Sequence, residues 1–72
     1  MKYVIVIEST SDGYSAYVPD LPGCVSVGSS REEVESHIQE AILFHLEGLK
    51  EDGLQIPPPT TETVTMLIPN VA

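Results

Sequence analysis

The sequence predicts an α+β domain of order β-β-β-α-β, in which a four-stranded mixed sheet ordered 3-2-1-4 carries one helix on one face. Three observations lead there. Apolar residues alternate with period two in several short segments, an apolar stripe at helical spacing precedes the last of them, and Gly/Pro corners separate them. At 72 residues the chain is expected to form one domain, residues 1–72.

The first strand runs from Lys2 to Ser9, with Tyr3, Ile5 and Ile7 on one face and Val4 and Val6 on the other. Apolar character on both faces suggests a central place in the sheet. Thr10-Ser11-Asp12-Gly13 is a turn, so the second strand, Tyr14 to Val18, pairs with the first as an antiparallel hairpin. Pro19, Asp20, Pro22 and Gly23 supply a corner, and Cys24 to Val27 returns as the third strand of a meander.

Gly28 and Ser29 then release the chain into a helix. Ser30 with Glu33 has capping-box spacing, as does Ser29 with Glu32, leaving two starts open one residue apart. Val34, Ile38, Ala41, Ile42, His45, Leu46 and Leu49 fall on one stripe, and Gly53 suits the left-handed end of a helix about 22 residues long. The prolines Pro57 to Pro59 make an extended connector. Glu62 to Ile68 alternates again, Val64, Met66 and Ile68 against Thr63, Thr65 and Leu67. It reads as a fourth strand beside and parallel to the first, reached by a right-handed crossover.

A domain of this size buries roughly 60% of the surface its unfolded chain exposes, and such scaffolds usually need a further staple. One cysteine, Cys24, excludes an internal disulfide, and His37 and His45 have no thiolate near them at zinc spacing, so neither a metal nor another cofactor is expected. Self-association is the staple that remains, which predicts a homo-oligomer, dimer or tetramer. The formal charge is −8, and between residues 31 and 52 only Arg31 and Lys50 offset seven acids. Such a surface repels nucleic-acid phosphates and either keeps a small protein solvated or steers a basic partner. Met1-Lys2 leads straight into an alternating strand rather than a leader, and no run suits a membrane span, so a cytoplasmic location is expected.

With these pieces in place the chain resembles the HicB-type antitoxins. The resemblance rests on Gly13 through Cys24 (GYSAYVPDLPGC), on Gly28 and Ser30-Arg31-Glu32-Glu33, and on Ala41-Ile42 with His45-Leu46. It continues through Asp52-Gly53 into Ile56-Pro57-Pro58-Pro59, covering nearly the whole chain. It implies a truncated ribonuclease H-like fold and the role of binding and neutralising a HicA-type toxin, a small basic protein that cleaves mRNA. Many such antitoxins carry a C-terminal DNA-binding segment. Three residues after Pro69 leave no room for one here, so direct DNA binding is not expected. An orphan oligomeric module without a toxin, and a degenerate metal-dependent ribonuclease, are the alternatives.

No catalytic residue is expected. Two-metal hydrolysis needs converging carboxylates, whereas Glu8 ends the first strand, Asp12 lies in the turn, Asp20 in the corner and Glu62 at the start of the last strand. His45 reads as a core or interface histidine, His37 as exposed, and Cys24 as a packed thiol. Asp20 suits an Asx-type turn bond to following amides or contact with a basic partner. The sheet face away from the helix is expected to carry Val4, Val6, Tyr17 and Leu67 beside Ser15, Ser26, Thr63 and Thr65, the pattern of an interaction surface. The candidate partner-binding residues are therefore Tyr17, Asp20, Glu32, Glu35, Glu40 and Glu47.

Overall fold

In a computed structural model, which describes residues 1–70, three antiparallel strands form a sheet in the order β1-β2-β3. They are β1 (Val6–Thr10), β2 (Gly13–Tyr17) and β3 (Val25–Gly28), followed by one helix, α1 (Arg31–Glu51). The meander and the helix match the sequence expectation. The four-stranded mixed sheet does not: Glu62 to Ile68 pairs with nothing, and every residue from Glu62 to Asn70 is exposed. The β-β-β-α portion of the expected ribonuclease H-like order stands without its last strand.

The expected central strand is in fact an edge. Its pairing starts only at Val6, because Val6 faces Tyr17 and the next partners along would be Val18 and Pro19. The Val18 amide faces the β3 side, donating to the Cys24 carbonyl at 3.2 Å, so the next amide that would face β1 is that of Pro19, which has none. Tyr3, Val4 and Ile5 therefore run on beside the sheet without a ladder.

Register sorts the faces. Val6 and Val25 flank Tyr17, and Glu8 and Val27 flank Ser15, on the side away from the helix. Ile7, Ala16 and Ser26 share the other side with Tyr14 and Gly28. Ser26 thus lies under the helix, and Val25 and Val27 take the open face assigned to it from sequence.

The helix starts as its cap chemistry dictates. Ser30 is the N-cap, its hydroxyl accepting from the Glu33 amide at 3.1 Å. The return bond goes one residue further back than a standard capping box, since the Ser29 amide and hydroxyl donate to Glu33 Oε1 at 2.7 and 3.1 Å. At the other end Leu54 N–H reaches the Leu49 carbonyl (2.9 Å) and Gly53 N–H the Lys50 carbonyl (3.1 Å), a Schellman closure with Gly53 at φ 68°.

The core is the helix against the corner. Val34 and Ile38 meet Ala16, Val18, Leu21 and Cys24, all buried, with Tyr3, Ile7, Tyr14, Ala41, Ile42 and Leu46 packed around them. The helix lies over β3 and then β2 and leaves β1 uncovered. It comes so close at Gly28 that a Cβ there would sit 2.6 Å from the Val34 nitrogen.

Candidate functional site

Among the described residues no group of three or more His, Cys, Asp and Glu side chains is placed to hold a metal ion, nor is any helix long and apolar enough to cross a membrane. Glu8, expected at a strand end, sits in the middle of β1, but it points to the open face opposite Ser15. Cys24 is buried, and desolvation pushes its thiol pKa up, away from the reactive thiolate. His37 is exposed, its ring Nδ1–H donating to the Val27 carbonyl at 2.7 Å, and His45 is half-buried at the edge of the core stripe.

Surfaces remain, and the six residues singled out from sequence fall on different ones. Tyr17 stands on the open sheet face, 42% exposed between Val6 and Val25, with Val27 close by. Asp20 is engaged within the chain. Its carboxylate accepts from the Thr61 amide (3.1 Å) and hydroxyl (2.8 Å), and from the Thr60 amide (3.0 Å) and hydroxyl (3.1 Å). The bonds run to residues forty positions downstream rather than to the following amides, so Asp20 ties the connector to the corner. The Thr61 amide, with the other three donors, holds this carboxyl below the ordinary aspartate range.

The acids of the helix divide in the same way. Glu35 pairs with Arg31 at 3.2 Å, one turn away, and Glu33 is occupied by Ser29. That amide bond lowers the Glu33 pKa. Glu32 is exposed in the first turn, where a carboxylate suits the helix dipole.

Glu40 and Glu47 belong to a feature that sequence reading missed. Glu40, Leu43, Phe44 and Glu47 follow i, i+3, i+4, i+7 spacing and so share one outward stripe of α1. Leu43 is 58% and Phe44 79% exposed. Two carboxylates at its ends and two large apolar side chains between make a ridge suited to a partner offering an apolar surface with a basic rim. The signal was present in the sequence: Leu43 and Phe44 are the large apolar residues of the helix that fall off its core stripe.

Comparison with known proteins places the chain in a family. The family described as the HicB-like antitoxin of bacterial toxin–antitoxin systems matches residues 3–71. A UPF0150 protein of Thermoplasma acidophilum is 39% identical over 67 residues, covering 92% of this chain and 97% of that one. An uncharacterised 14.9 kDa protein of Haemophilus phage HP1 is 47% identical over 57 residues, 79% of this chain. The antitoxin HicB 2 of Photorhabdus laumondii is 31% identical over 86% of this chain. The matches span only 43% of the phage protein's length and 45% of the Photorhabdus antitoxin's. Among solved structures, a chain of the HicA3 and HicB3 toxin–antitoxin complex superposes with a TM-score of 0.71 at 33% identity, covering 82% of this chain and 70% of that chain.

Proposed function

This chain belongs to the HicB-like antitoxins, and from that premise we propose that it binds and neutralises a HicA-type RNA-cleaving toxin through protein–protein contact, with no catalysis of its own. The observation that carries the reading is the likeness of 82% of the chain, at 33% identity, to a chain of a toxin–antitoxin complex. The acidic ridge supports it physically. A protein that holds RNA phosphates is basic, and a domain of formal charge −8 attracts it while repelling RNA itself. The mRNA that such a toxin attacks is cytoplasmic, and the antitoxin acts there.

Among the candidate contacts, Glu40 and Glu47 are the acids that flank exposed apolar surface, with Leu43 and Phe44 as the anchors between them. Glu32 adds charge at the start of the same helix, and Tyr17 anchors a second, smaller surface on the sheet. Asp20 and Glu35 serve their own chain first.

The test is calorimetric titration with a catalytically inactive HicA-type toxin, at low and moderate salt. Tight binding that weakens as salt rises is expected, with Phe44→Asp lowering affinity at least tenfold. A folded protein that gives no complex with the toxin would instead be the orphan module.

A further inference from the structure

The described structure leaves one apolar groove and one apolar segment without partners. The groove runs along the free edge of β1. Tyr3, Ile5 and Ile7 on the strand side and Ile38 and Ile42 on the helix side form its apolar part, Lys2, Arg31 and Glu35 line its polar rim, and the open depression has a volume of about 870 Å³. It exists because α1 lies over β3 and β2 and stops short of β1. An edge strand of this kind presents unpaired backbone groups beside an apolar surface, an arrangement that proteins ordinarily cover.

The segment is Glu62 to Ile68. It has the period-two pattern of a half-buried strand, with Val64, Met66 and Ile68 on one side, yet Val64, Met66, Leu67 and Ile68 are all exposed, Leu67 at 95%. Its starting point is fixed. Four hydrogen bonds from Thr60 and Thr61 to Asp20 hold the chain at the β2–β3 corner, and the Tyr3 hydroxyl donates to the Pro57 carbonyl at 2.6 Å. From that anchored point the chain continues away from its own body. The radius of gyration is 14.7 Å and the longest dimension 53 Å, against about 11 Å expected for a compact chain of this length.

We propose that the occupant of the groove is the tail of a second copy: two chains exchange residues 62–68, each laying Val64, Met66 and Ile68 into the groove between β1 and α1 of the other. The arrangement is isologous, because the same groove and the same tail are used twice. It accounts for a strand-like sequence that finds no strand in its own chain, and it supplies the staple that a core of six buried residues lacks. It also leaves the Glu40–Glu47 ridge on the opposite side of the helix from the groove residues Ile38 and Ile42, so dimer and toxin do not compete for one face.

Complementary variants test this directly. Met66→Asp damages the tail and Ile5→Asp the groove wall, both at exposed positions where the monomer fold is expected to survive. Light scattering after size-exclusion chromatography should read twice the chain mass for the native protein and half of that for each variant alone. An equimolar mixture of the two should restore the dimer, since the intact tail of one fits the intact groove of the other. A monomeric native protein overturns the proposal. So do variants that remain dimeric, which would move the interface to the open face around Tyr17 and Val25, and a mixture that stays monomeric.

Discussion

The two ends of the β-sheet show what a small domain closes within itself and what it leaves open. At the β3 side the helix, the Pro19–Gly23 corner and the sheet meet around Leu21, Val34 and Ile38, which are essentially without solvent exposure. At the β1 side the same helix stands off, and isoleucines line an open groove. The difference begins with one residue type. Gly28 lets α1 descend onto β3, where any Cβ would strike the Val34 backbone, and a straight helix that touches one edge of a twisted sheet rises from the other. Burial is therefore concentrated in one half, and the other half is left open.

The largest effect expected is at the closed end. Leu21→Ala removes a side chain that is 0% exposed and should cost about 2–5 kcal/mol. A domain this small has a total stability of roughly 4–11 kcal/mol, so urea melts should shift far to lower denaturant. Phe44→Ala is the control, for at 79% exposure it should change stability by no more than about 0.5 kcal/mol. Equal losses from the two would dissolve the contrast between core and ridge.

Gly28→Ala probes the cause of the asymmetry. The new methyl meets backbone rather than a side chain that can swing away, so the helix must lift from β3. A loss of about 1–3 kcal/mol is expected, the range for overpacking, with amide exchange rising first in β3 and the start of α1. A neutral result would mean that the helix height is set elsewhere and that the open groove has another origin.

These elements were unequally legible in the sequence. The helix and its ends follow from local chemistry, with the start narrowed to Ser29 or Ser30 and the end to Gly53, because capping is a contact between near neighbours. The meander followed for the same reason, each turn lying between the strands it joins. Glu62–Ile68 failed because alternation states what a segment is able to pair with, not whether a free edge lies within reach of its own chain. For Asp20 the sequence leaves a turn bond and a partner contact both open, and the bonds it makes in the structure, to Thr60 and Thr61, span 40 and 41 positions, a distance that local turn chemistry cannot see. Glu40 and Glu47 were chosen for charge alone. Leu43 and Phe44 lie between them, off the core stripe and at helical spacing from the two acids, so charge alone does not reveal the ridge.

The smallest effect expected is also the most selective, and it concerns the tie between the two ends. Asp20 has its pKa lowered by the Thr61 amide and the three donors beside it. A carboxyl depressed in the folded state contributes stability above its unfolded pKa and loses it as pH falls through the lower folded value. The clasp on Thr60 and Thr61 should therefore hold at neutral pH and release only as pH falls below the ordinary aspartate range. The Thr60 and Thr61 amide resonances should report that release, moving together while those of Val34 and Ile38 stay fixed. In Asp20→Asn the same amides should show no such titration, because the side-chain oxygen that remains no longer changes charge. Glu33 titrates in the same direction through its bond from the Ser29 amide, so the Ser29 amide should respond in both proteins and serve as an internal reference. Movement of the Thr61 amide in the Asp20→Asn protein would place the titrating group elsewhere and remove Asp20 as the clasp.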